Sequence, residues 1–216
     1  MIIDHNHPSY RSRWKASGAN RWNGAFYYSK EIVKNIIPFV ETDRNWMTIN
    51  TPGYGCDHSI VFIHNNLHPE HYDWLKQYDD LILVCGIPET CVKMTHLGTP
   101  VYLPLSVDVQ QVKTFSKPEK TKEMAFVGRK AKRAKIIFPE GTDYIEGVSR
   151  QEMLGLMADY RKVFAVGRTA IEAKILGCEI LPYDPRFPNP DRWKIVDNRE
   201  AAVILNRVLK EIDGRD

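Results

Sequence analysis

The sequence predicts an α/β protein made of two small Rossmann-like lobes with parallel sheets and a cleft between them. Strand-length apolar runs alternate with helix-patterned segments along the whole chain, an order that calls for parallel sheets covered on both faces. The polar, lysine-rich stretch "QQVKTFSKPEKTK" (110–122) interrupts the alternation and reads as a linker. A chain of 216 residues, 43% hydrophobic and 26% charged, suits one large domain or two small ones. These features place an N-terminal lobe at residues 1–117 and a C-terminal lobe at 118–216, with the final helix free to return to the first lobe.

In the first lobe "MII" is a candidate strand, followed by a polar, aromatic segment and a helix from Ala25 to Ile37. "WMTIN" (46–50) and "SIVFIHN" (59–65) read as strands separated by the turn-rich "TPGYGCD". Pro69 to Gln77 has a helical pattern, "DLILVCG" (80–86) is the strongest strand, and Pro88 to His96 suits a helix opened by proline. "PVYLPL" (100–105) ends the lobe. The second lobe reads more clearly. "EMAFVG" (123–128), "TDYIEG" (142–147), "KVFAVG" (162–167) and "CEILPY" (178–183) are strands. Between them, Ser149 and Glu152 form a capping box for a helix striped by Met153, Leu156, Met157 and Tyr160. A second helix starts at Thr169, and "REAAVILNRVLKEID" (199–213) is amphipathic.

The bulk properties narrow the function classes. A net charge of +3 falls short of the balance of dedicated nucleic-acid binders. The longest apolar runs are too short to span a bilayer, and "MIIDHNHPSY" lacks the basic start and apolar core of a secretory signal, which points to the cytoplasm. Four scattered cysteines without a CxxC pair read as reduced thiols. His64, His68 and His71 in "HNNLHPEH" have tempting spacings, but Pro69 breaks any helix through them; no metal or other cofactor is expected.

In open parallel sheets ligands bind beyond the carboxyl ends of the strands, so the informative residues follow strands. Those stretches are "GRKAKR", "GVSR" and "GRTAIE". Glycine followed by arginine occurs at Gly128-Arg129 and again at Gly167-Arg168. Glycine admits close backbone approach, a helix start offers N–H groups and positive potential, and arginine adds a planar donor fork for phosphate oxygens. "GRKAKRAK" (128–135) holds five basic residues and no acid, among them Lys130, Lys132 and Arg133. Glu172 has two readings. It stands at capping-box spacing from Thr169, and as a carboxylate facing the cleft it would accept hydrogen bonds from a sugar's paired hydroxyls.

"VFAVGRTAIEAKILGCEILPYD" resembles the donor-site segment of GT-B-fold glycosyltransferases, with Glu172, Ala173 and Gly177 at the matching places. "MAFVGRKAKR" is similar to the first strand and basic loop of their C-terminal domain. "DDLILVCGIPETCVKMTHLGTPVYLPLSVD" is similar to the end of their N-terminal domain. Cys178-Glu179 stands where proline usually follows in the family. The resemblance implies a compact GT-B-like protein with a shortened N-terminal, acceptor-side domain and a nucleotide sugar as donor. It implies that Arg129 and one of Lys130, Lys132 or Arg133 meet the diphosphate, and that Glu172 binds the ribose.

Two further groups belong to the first lobe. Asp4, His5 and His7 follow the first strand and His64 follows another, so His64, His7 and Asp4 are candidates for the base that takes an acceptor hydroxyl proton. "YRSRWKASGANRWNGAFYY" (10–28) interleaves cations with aromatics, a chemistry that suits a sugar or single-stranded nucleic acid as well as a loop packed over the sheet edge. Three readings stand: a glycosyltransferase with an unknown acceptor, nucleic acid included; a nucleotide or nucleotide-sugar binding protein without transferase activity; and a nucleic-acid-associated protein.

Overall fold

A computed structural model of the chain describes residues 31–48, 57–63, 69–133 and 136–214. The expected "MII" strand, the 10–28 segment, and Asp4, His5, His7, His64 and His68 lie outside the described residues, as do the side chains of His71 and Lys132. The protein is α/β, and among the described residues it has two four-stranded, all-parallel, Rossmann-like sheets. It divides into two compact units: unit 1 is Met1–Pro104 with Asn198–Asp216, and unit 2 is Leu105–Asp197.

Unit 1 carries β1 (Asn45–Thr48), β2 (Ser59–Ile63), β3 (Leu81–Cys85) and β4 (Thr99–Tyr102), in that spatial order. β2 and β3 are buried at every position, which is why they read as unbroken apolar runs. Every crossover steps in the same direction, so right-handed connections fall on one face. There Leu75, from the 3-10 helix Pro69–Gln77, joins Met47, Val61, Ile63, Leu83 and Met94 of α1 (Pro88–Met94). The described end of the helix expected over 25–37 is a π-type turn at Ile32–Ile36 followed by a 3-10 turn at Ile37–Phe39.

Unit 2 begins earlier than the linker reading placed it. Residues Val109–Lys113 form a helix, α2, capped by Asp108, whose Oδ1 accepts from Gln111 N at 2.8 Å. Val107 and Val112 are fully buried in the unit 2 core, so two apolar anchors override the polar composition around them. Val107 N donates to Val196 O at 3.1 Å, which sets the chain's entry to the unit beside its exit. The second compact unit accordingly begins at Leu105. The terminal helix, α6 (Asn198–Asp213), belongs to unit 1. Its buried stripe of Ala201, Ala202, Leu205 and Leu209 is flanked by polar ties: Asn198 Nδ2 to Glu31 Oε2 at 3.0 Å, and Arg44 to Asp213 at 2.6 Å.

The strands of unit 2 are β5 (Lys122–Val127), β6 (Asp143–Ile145), β7 (Tyr160–Phe164) and β8 (Glu179–Leu181), arranged β6-β5-β7-β8. The chain steps one way from β5 to β6, then passes back over β5 to β7 and on to β8. Right-handed crossovers therefore put α4 (Arg150–Met157) and α5 (Arg168–Ile175) on one face and the 128–142 connection on the other. Residue alternation agrees. Ala125, Val127, Ile145, Val163 and Ile180 pack with Leu154, Met157, Ala170 and Ile171. Phe126, Tyr144 and Phe164 point the other way, into an aromatic cluster closed by Phe138 and Tyr183, with Phe126–Phe138 ring centroids 4.9 Å apart.

Candidate functional site at the switch point of unit 2

Among the described strands, only unit 2 has a place where crossover direction reverses, between neighbours β5 and β7. Open α/β sheets bind ligands outside the carboxyl ends of the strands at such a point, because the connections diverge there and leave a crevice. Both glycine-arginine pairs fall on it, one after β5 and one after β7.

At the first turn, a Cβ on Gly128 would lie 2.7 Å from Phe126 Cζ, so the backbone passes too close to the aromatic cluster for any side chain. Arg129 and Lys130 are exposed, and the four-residue helix α3 (Lys130–Arg133) follows. Arg133 turns back: its guanidinium lies 4.4 Å over the Tyr144 ring, with Nε 3.0 Å from Glu146 Oε1. That contact is an ion pair by distance but too poorly aligned for a hydrogen bond, and neither atom has a hydrogen-bond partner among the described residues. Arg133 is thus tethered over β6, while Arg129 stays available.

At the second turn, Gly167 adopts φ 64°, a conformation that strains any residue with a Cβ, and its carbonyl accepts from Ala170 N at 3.0 Å and Ile171 N at 3.2 Å. Gly167 is therefore the N-cap of α5, and half-buried Thr169 lies inside the first turn. The capping-box reading of Thr169 with Glu172 is corrected: the helix starts two residues before it requires. Ser149 does cap its helix as the spacing predicts, its Oγ accepting from Glu152 N at 3.2 Å.

Glu172 is buried, its side chain 4% exposed. Its Oε1 accepts from Arg150 Nε at 3.0 Å and Nη2 at 2.8 Å, and Arg168 Nη2 stands 3.8 Å away. Its other oxygen, Oε2, has no hydrogen-bond partner among the described residues. Arg168 is turned inward as well, its Nε donating to Ser106 O at 3.2 Å, and Arg150 Nη1 donates to Gln111 Oε1 at 2.9 Å. A buried carboxylate requires such partners, since an unpaired charge in the interior is strongly disfavoured. Arg150 and Arg168 each open a helix that leaves a strand's carboxyl end, so this cluster sits on the same rim as the glycine turns.

Tyr183, just past β8, completes the rim. Burial, with help from Asp184, pushes its hydroxyl up to about 12, while Arg186 and Arg129 pull the other way. The Arg129 charge is therefore felt at Tyr183. Asp184 is held by Arg186, whose Nε donates to Oδ1 at 2.8 Å.

Of the residues singled out by sequence, the structure brings Gly128, Arg129, Lys130, Gly167, Arg168, Thr169 and Glu172 to one rim. Sequence reasoning passed over Arg150 and Glu146, although Arg150 ends the quoted "GVSR" and the rule of looking just after strands covers both. Exposed cations at a glycine turn, a helix start and a buried acceptor carboxylate together suit an anionic, hydroxyl-bearing ligand. Among the described residues, no group of histidine, cysteine, aspartate and glutamate is arranged to hold a metal ion, and no helix is long and apolar enough to cross a membrane. No protein-family model matches the chain, and no curated protein matches it by sequence.

Proposed function

We propose that the protein binds a nucleotide sugar through unit 2 and transfers the sugar, in the manner of a GT-B-fold glycosyltransferase, with unit 1 serving the acceptor. The observation that carries this reading is the convergence of both glycine-arginine turns and Glu172 on the switch point of the β6-β5-β7-β8 sheet. Arg129 and Lys130 neutralise the diphosphate, the start of α5 offers N–H groups, and Glu172 Oε2 accepts from the ribose hydroxyls. Catalysis on such a site is mostly positioning of the donor and stabilisation of the departing diphosphate. The base candidates His64, His7 and Asp4 belong to the part of unit 1 outside the described residues.

Calorimetric titration with nucleoside diphosphates and the matching nucleosides tests the binding roles. Arg129→Ala should weaken diphosphate binding by about tenfold or more and leave nucleoside binding nearly unchanged, because a hydrogen bond to a charged group contributes roughly 1.5–3 kcal/mol. Equal losses for both ligands would refute the phosphate role. Release of sugar from a nucleotide-sugar panel separates transfer from binding alone. A protein that binds the nucleotides tightly and releases no sugar, with or without acceptor, is a binding protein on this fold.

A further inference from the structure

Arg150 is the closest partner of Glu172 and comes from a different helix. Its Nε and Nη2 edge is spent on a single carboxylate oxygen, Oε1, at 3.0 and 2.8 Å. The third nitrogen, Nη1, is fixed by Gln111 of α2 at 2.9 Å. A guanidinium held at both edges cannot swing, so the carboxylate oxygen it grips, Oε1, is anchored in place. The gripping geometry saturates Oε1 and leaves Oε2 with its acceptor capacity, on the rim where α4 and α5 begin. An unpaired charge is strongly disfavoured in the interior, and Arg150 supplies the partner that keeps the Glu172 side chain inside.

We infer that Arg150 is a positioning residue: it anchors the Glu172 carboxylate so that Oε2 meets the ribose hydroxyls of the nucleotide proposed above, and the preference for ribonucleoside diphosphates over their 2′-deoxy counterparts depends on it. The inference rests on the nucleotide reading above. A carboxylate oxygen that receives a hydroxyl penalises an analogue that lacks it, because the acceptor is then left unpaired under the ligand. Arg129, at the other turn, touches no part of this arrangement and carries none of the sugar preference.

The test compares UDP, GDP, ADP and CDP with their 2′-deoxy analogues by calorimetry, on wild type, Arg150→Gln, Arg150→Lys and Arg129→Ala, with thermal stability measured alongside. Wild type is expected to prefer at least one ribonucleotide over its 2′-deoxy analogue by about tenfold or more. Arg150→Gln should bring that ratio below about threefold, and Arg150→Lys should restore part of it by returning the charge without the fork. Arg129→Ala should lower affinity for both members of each pair and keep the ratio. Should Arg150→Gln fail to fold, Arg150→Lys carries the comparison through the same ratio. A folded Arg150 variant that keeps the wild-type ratio overturns the inference while the nucleotide reading stands. A wild-type protein that binds none of the eight nucleotides overturns both.

Discussion

The turns Gly128-Arg129 and Gly167-Arg168 carry the same dipeptide at the ends of adjacent strands, yet each needs its glycine for a different reason. Gly128 is there for space, because the Phe126 ring lies where a Cβ would go. Gly167 is there for backbone freedom at φ 64°, and a Cβ on it would meet only Leu105 Cδ1 at an ordinary 3.8 Å. The arginines diverge in the same way. Arg129 is exposed, whereas Arg168 is 11% exposed and engaged with Ser106 and Glu172. One turn therefore leaves its charge exposed, and the other turns its charge inward toward a buried carboxylate.

The largest effect should come from the buried cluster. Breaking a buried ion pair by removing one partner costs about 3–5 kcal/mol, so Arg150→Met should lower the unfolding free energy in urea by an amount near that range. Arg129→Ala, at an exposed site, should stay within about 0.5 kcal/mol of wild type. Replacing both partners, Arg150→Met with Glu172→Leu, should recover part of the loss, since the Glu172 charge is removed with its partner while Arg168 keeps its bond to Ser106 O but loses its carboxylate neighbour. Similar losses for Arg150→Met and Arg129→Ala would erase the contrast between the turns.

Next come the glycines. Gly128→Ala should cost about 1–3 kcal/mol through overpacking and be relieved when Phe126→Leu is added. Gly167→Ala should cost about 1–2 kcal/mol through left-handed backbone strain, and trimming Leu105 to alanine should not relieve it. Urea midpoints of the four variants decide the matter, and rescue of Gly167→Ala by the Leu105 change would show that its glycine, too, is there for space.

The last effect is on titration. An unfolded tyrosine loses its proton near 10, whereas Tyr183 keeps its proton to about 12 in the fold. Between those values the unfolded chain binds fewer protons, so stability falls as pH rises. The contribution is complete below pH 10 and disappears through pH 12. Tyr183→Phe should flatten this decline, read from unfolding midpoints across that range. Arg129→Ala should move the Tyr183 titration slightly higher, because Arg129 favours the phenolate. No movement would mean that the first turn's charge does not reach the rim.

Much of the architecture was legible because the information is local. Strands buried on both faces appear as continuous apolar runs, as in "SIVFI" and "LILVC". Ser149 announces its helix because a cap and its partner N–H are three residues apart. The same local logic failed at 110–122, where polar residues hid the buried Val112 of α2, and at Thr169, where a two-residue-earlier glycine had already started the helix. Spacing shows which residues can pair locally; it does not show which pairing the backbone has already taken.

The sequence by itself determined that strands alternate with helices, that glycine-arginine turns end two of the strands, and that Glu172 lies one turn into a helix. Those features depend on periodicity and on residue conformational limits, which act over a few positions. Only the tertiary structure decided that β7 returns beside β5, which makes a switch point out of two ordinary turns. It alone brought Arg150 onto Glu172 from 22 residues away and returned the last helix to unit 1. Handed crossovers and the need of a buried charge for a counter-charge settle such matters, and neither leaves a mark at short range in the chain.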